Sequence, residues 1–159
     1  VNYSELTRRY FERAAGAGVL AGPGVGRGAA GSRAQGTWVQ FDVAGAWHAA
    51  SADAADAADA ADAADGAGAG EDTQLTVVAA RFLAFACPHT IAVASWVVEC
   101  SSGAPACRKL PESVQDIARR FEVPIEKLGR LLIVGDAWAA AVAALFAAPR
   151  PATPARIAT

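Results

Sequence analysis

The clearest alternation along the chain lies between Thr37 and Val43, where Val39, Phe41 and Val43 fall on one face and Trp38, Gln40 and Asp42 on the other. A period of two predicts a strand with one oily side. Gln74 to Ala86 reads as a second strand, and the two would pair as an antiparallel hairpin. The second runs into Cys87-Pro88-His89 and then into a small-residue apolar stretch, so strand, corner and helix follow one another. Such a corner is a common place for a ligand or a nucleophile. Helical spacing appears elsewhere. Ser4 is placed to cap a first helix with Leu6, Tyr10 and Ala14 inward and Arg8, Arg9 and Arg13 outward, ending near Gly16. Thr90 to Glu99 would pack through Ile91, Ala94, Ser95 and Val98, and Ser101-Ser102-Gly103 would stop it. Val114, Ile117, Ala118 and Phe121 form the inner stripe of a helix after Pro111; Val123-Pro124 breaks it, and a last helix runs from about Ile125 or Leu128 to Ala148.

Two stretches have neither period. Gly16 to Gly36 is rich in glycine and predicts an exposed loop without a lasting strand. Its Gly22-Pro-Gly-Val-Gly-Arg-Gly run lacks the Gly-Lys-Ser/Thr ending and the preceding strand of a phosphate-binding loop. Ala52 to Asp65 is an Ala-Asp-Ala triplet repeat whose period of three builds no single helix or strand face. It reads as a low-complexity insertion, at about residues 46–73, carried at the tip of the hairpin, because lengthening a surface loop costs at most about 1 kcal/mol. Residues 1–148 then form a single domain, and the proline-rich 149–159 a flexible tail.

Composition changes the picture in two respects. The net charge is −2, but Asp53, Asp56, Asp59, Asp62 and Asp65 all belong to the repeat; without those five, 11 of the 16 acidic side chains remain against 14 basic ones. That mild basic excess, without a basic stripe interleaved with aromatics, does not point to nucleic acid. Cys87, Cys100 and Cys107 are odd in number and suit a reduced, cytoplasmic chain better than a disulfide framework. The apolar run from Leu131 to Ala148 approaches a membrane span in length, but Gly135 and Asp136 interrupt it, which favours a buried core helix and no membrane partner.

Cys87 and His89 are the candidate metal ligands, since thiolate and imidazole suit iron or zinc. Cys100 lies nearly 20 Å along the helix and reads as a small core residue, Cys107 as a surface thiol. The same Cys-His pair could serve a nucleophilic enzyme, although no third residue is visible to orient the imidazole; the other histidine, His48, stands beside the repeat.

The order of elements resembles the U-type iron–sulfur cluster assembly scaffolds, IscU and the N-terminal domain of NifU, over roughly Leu6 to Phe146. Phe85-Ala-Cys-Pro-His-Thr-Ile-Ala92 looks like that family's Tyr-Gly-Cys-Gly-Ser-Ala-Ile-Ala corner. Val123 to Ala137 aligns without a gap to Leu-Pro-Pro-Val-Lys-Ile-His-Cys-Ser-Ile-Leu-Ala-Glu-Asp-Ala, and Gly31 to Thr37 to Gly-Ala-Pro-Ala-Cys-Gly-Asp. The resemblance implies an α+β fold, a three-stranded antiparallel sheet packed with helices. It also implies a site of three cysteines, an aspartate and a histidine, whose positions here read Gln35, Thr37, Cys87, Gly129 and Arg130. Only Cys87 keeps a ligand, and Arg130 brings a permanent positive charge to a cation's place. The expectation is a non-enzymatic, ligand-depleted scaffold acting through cysteine desulfurase or other assembly proteins. The family's chaperone-docking segment aligns with Val123, Pro124 and Lys127, but only Pro124 and Lys127 match, which weakens that partner. The alternatives are a carrier of iron, zinc or an Fe–S cluster using Cys87 with partner-supplied ligands, and a Cys87-dependent enzyme. Gly103-Ala-Pro-Ala-Cys107 spells the first-ligand motif too, but it follows the corner helix and should lie far from Cys87.

Overall fold

A computed structural model describes residues 2–49 and 73–149. Helix α1 (Glu5–Arg13) is followed by strands β1 (Val25–Ser32), β2 (Thr37–Ala49) and β3 (Thr73–Phe85), then by α2 (Pro88–Ser101), α3 (Val114–Phe121), a 3-10 turn (Ile125–Lys127) and α4 (Leu128–Ala147). The strands make one antiparallel sheet in the order β1-β2-β3. This is the α+β architecture expected from the sequence. The Ala-Asp repeat and the tail beyond Pro149 lie outside the described residues. Residues 46–49, expected within the insertion, instead extend β2, with Ala46 paired to Thr76 and Ala49 to Thr73.

The oily face of β2 is the floor of the core, and Val39, Phe41 and Val43 are fully buried. On β3 the buried positions are Leu75 and Val77, then Ala80 and Phe82. The parity changes because a bulge at Ala44/Gly45 pairs Ala44 with Ala79 but Gly45 with Val77, leaving Val78 unpaired and exposed. Helix α4 covers β1 and β2 through Leu131, Val134, Ala137, Trp138, Ala141, Val142 and Leu145, all buried. Segment Ile125–Ala147 is long and apolar enough to cross a membrane; here its inner stripe is spent on the sheet, with the Trp138 ring edge-on to Phe41 at 5.3 Å.

The strand β1 overturns the expectation of a loop from Gly16 to Gly36. Glycine disfavours strands in isolation, but here its missing side chain lets α4 approach the sheet. A Cβ at Gly28 would stand 2.1 Å from the Ala141 nitrogen, and one at Gly26 2.4 Å from the Ala141 oxygen. Packing thus selects a strand where propensity does not.

The remainder of that stretch forms a strap. Gly16 and Gly18 pair with Phe82 on the free edge of β3, and the Leu20 N–H then donates to Asp42 Oδ2 at 2.9 Å. Arg27 reaches the same carboxylate from β1, Nε to Oδ1 at 2.7 Å and a terminal nitrogen to Oδ2 at 2.9 Å. Burial alone would push the Asp42 carboxyl up; the Arg27 pair, the Leu20 N–H and Gln40 outweigh it and hold the carboxyl below its ordinary value.

Ser4 caps α1 by accepting from the Thr7 N–H, as the sequence suggests. Thr7 itself is fully buried and donates through Oγ1 to the Phe121 carbonyl at 2.8 Å. This ties α1 to the end of α3, where Phe121 sits edge-on to both Tyr10 and Trp96.

Candidate functional site

The pairing of Trp38 with Phe85 places the start of β2, the β1–β2 turn and the exit of β3 at one end of the sheet. There the chain turns through Ala86 and Cys87 into α2. Pro88 occupies the first helical position, where its missing N–H costs nothing, and Cys87 is the N-cap residue with φ −73° and ψ 161°. Cys87 is half-buried, and its Sγ lies 3.3 Å from Thr90 Oγ1, three residues on, at the spacing of capping contacts.

Arg130, on the first turn of α4, is near enough for its charge to act on the Cys87 thiol. Burial pushes the Cys87 thiol up; against it act the Thr90 hydroxyl, the Thr90 N–H and the Arg130 guanidinium, and together they bring it below the ordinary value. His89 is 2% exposed, with the Tyr3 ring edge-on at 4.8 Å. Its Nδ1 is buried without a hydrogen-bond partner among the described residues. Burial first, then the charges of Lys127 and Arg130, lowers its pKa, so the ring is neutral at neutral pH.

The fold thus brings Cys87, His89, Arg130 and Lys127 to one corner, with Thr37 at the same end of the sheet. Thr37 is 2% exposed and its Oγ1 is also unpartnered. Gln35 is exposed in the β1–β2 turn, its N–H donating to Ser32 Oγ at 3.2 Å. Gly129 is exposed on α4, and Val123 and Pro124 are buried and half-buried in the link from α3. Among the described residues no group of three or more His, Cys, Asp or Glu side chains gathers to hold a metal ion.

Cys100 is not the core residue expected of it. It is exposed at the far end of α2, beside Glu99, and burial and the charges of Glu99 and Glu112 raise its pKa. The reason is local: from His89 to Val98 every residue of α2 but Ile91 is buried, and the helix turns Glu99 and Cys100 outward only in its last turn. Cys107 is half-buried rather than on the surface. It does lie far from Cys87, because the segment before it runs beside the opposite end of β3, with Val77 N–H donating to the Ala104 carbonyl and Ala106 N–H to the Leu75 carbonyl. Twelve residues of strand from Leu75 to Cys87 span on the order of 35 Å. His48 sits on the exposed end of β2, with Nε2 3.3 Å from Thr76 Oγ1.

Sequence reasoning missed Thr90 and Tyr3. The spacing of Cys87 to Thr90, N-cap to third helical position, was the available signal for the first. For Tyr3, which folds back on His89 from the chain's start, there was none. No family model matches the chain, and no curated protein matches it either.

The chemistry available at the corner is that of a thiol in a positive environment. Thiolate and neutral imidazole are both potential metal ligands, but like unit charges about 4 Å apart repel by about 4 kcal/mol at an effective dielectric of about 20. The charges of Arg130 and Lys127, which act on this Cys-His pair, oppose a cation there.

Proposed function

We propose that this protein is a divergent member of the U-type iron–sulfur assembly scaffold family that has lost the capacity to hold a cluster by itself. It acts without catalysis, in a reduced cytoplasmic setting, by engaging assembly proteins such as cysteine desulfurase. The observation carrying this reading is the replacement of the family's ligands around Cys87, with the Arg130 guanidinium acting on its thiol. The alignment equates Arg130 with a ligand position, and its influence on Cys87 supports that reading. The order of one helix, three antiparallel strands and further helices agrees with the same family.

Anaerobic incubation with ferrous iron and sulfide, followed by absorption spectroscopy and metal analysis, tests the proposal. A colourless, iron-poor protein that retains a cysteine desulfurase on pull-down is the expected result. A stoichiometric brown chromophore that disappears in Cys87→Ala overturns it. The orphaned Nδ1 of His89 favours one second reading, a metal site completed by a partner. Colour that develops only when the desulfurase is present would select it.

A further inference from the structure

The chain treats the two edges of its sheet differently. Along β3 it covers itself: the Phe82 N–H donates to the Gly16 carbonyl, the Phe82 carbonyl accepts from the Gly18 N–H, and at the other end Val77 and Leu75 are bonded by Gly103, Ala104 and Ala106. These bonds also fix which way β1 points. A residue in an antiparallel strand aims its N–H and C=O to one side, and its neighbours aim theirs to the other. Phe82 lies opposite Phe41 and is bonded away from it, so Phe41 bonds to Gly28, its partner in register on β1. Alternation then turns Gly26, Gly28 and Ala30 toward β2, and Arg27 and Ala29 toward the free edge. The Val25 N–H fits the same pattern, since it leaves β2 to donate to the Gly22 carbonyl. Among the described residues no hydrogen bond takes up the backbone groups of Arg27 or Ala29 on that side. Natural sheets blunt such an edge with lysine, proline or a bulge. Strand β1 contains neither lysine nor proline, its register with β2 has no shift, and its one charged side chain, Arg27, is bound to Asp42.

We infer that β1 is the docking edge for a second copy of this chain, the two β1 strands pairing antiparallel about a two-fold axis at Ala29 and joining the two sheets into one. Ala29 exchanges both backbone bonds with Ala29 of the second copy, and Arg27 faces Gly31, which has no side chain to obstruct it. No like charges are opposed in this register, because the only charge on the strand faces a glycine and is already neutralised by Asp42. The occupant is a copy rather than a foreign peptide for a related reason. Strand addition gains its specificity from pockets that read alternate side chains, and glycine and alanine along this edge build none. The same strand reversed matches the edge in length, in backbone groups and in charge. The inference is independent of the scaffold reading, since it uses neither Cys87 nor any former ligand position.

Sedimentation velocity of the full chain over a concentration series, with amide exchange followed by nuclear magnetic resonance, tests the inference. The expected result is a reversible equilibrium between monomer and dimer in which the Arg27 and Ala29 amides gain protection as dimer forms. Ala29 is exposed, so its side chain can be changed without entering the core. Ala29→Lys and Ala29→Glu each set like charges face to face at the axis and should weaken the dimer by about fivefold. An equimolar mixture of the two variants should recover it, since the opposed side chains then attract. Far-ultraviolet circular dichroism would show that both variants keep the fold, and the exchange measurement on the natural chain needs no variant at all. Three results overturn the inference: a chain that stays monomeric throughout the series, a dimer whose Arg27 and Ala29 amides exchange as fast as in the monomer, or a mixture that associates no more tightly than its components.

Discussion

At the scale of single residues, His89 shows how far position and environment can diverge. The sequence makes it conspicuous, two residues beyond Cys87, but does not reveal that it is buried under Tyr3. Position in the chain is local information; burial depends on a residue that arrives from the N-terminus. The consequence is measurable as a pH effect. Burial and the charges of Lys127 and Arg130 put the folded-state pKa of His89 below its unfolded value of about 6.5. Above that value both states are neutral and stability is undiminished. As the pH falls below it, the unfolded chain takes a proton that the folded chain refuses, and stability is lost down to the folded pKa. The expected slope is at most about 1.4 kcal/mol per pH unit. Urea midpoints measured between about pH 7 and about pH 5 should therefore fall less steeply in His89→Phe than in the natural chain. An unchanged slope would mean that the ring titrates alike in the folded and unfolded states.

At the scale of elements, the helices were the most legible part because each carries its own signal. Ser4 caps α1, and of the expected α3 stripe Ile117, Ala118 and Phe121 are buried and Val114 half-buried. The inner face of β2 was equally plain. What could not be read was β1, since its glycines are explained by a helix more than 100 residues away. The bulge opposite Val78 was hidden for a related reason, as a change of parity is visible only against a partner strand. Two glycine substitutions separate close packing from backbone freedom. Gly28→Ala drives a Cβ to 2.1 Å from the backbone of α4, which can yield only by moving the helix, and should cost about 3 kcal/mol or more. Gly36→Ala meets no atom within 4 Å, but φ is +75°, and the expected cost is about 1 kcal/mol. Chemical denaturation of the two variants side by side checks both values. Equal losses would remove the argument that β1 is a strand because α4 lies against it.

At the scale of the whole molecule, the strap from Gly16 to Leu20 runs along the free edge of β3 at Phe82 and then reaches Asp42, on the polar face of β2, through the Leu20 N–H. Asp42 was legible as a polar-face residue of β2, yet it is 1% exposed, because a carboxylate that alternation assigns to solvent is covered once the strap crosses it. Its charge is tolerable there only through Arg27, the Leu20 N–H and Gln40. A folded-state pKa held below the ordinary carboxylate value gives stability that is present above the unfolded pKa of about 3.9 and is lost as the pH falls through the folded one. Arg27→Met removes the principal counterion and leaves burial, the largest influence on Asp42, opposed by less. The carboxyl should then rise, and the midpoint of acid unfolding should move to higher pH. Asp42→Asn should abolish this dependence even when Arg27 is kept, since an amide does not titrate. If the acid midpoint of Arg27→Met matches that of the natural chain, the strap is held by its pairing with Phe82 alone. The Asp42 contact would then be a consequence of the fold rather than one of its supports.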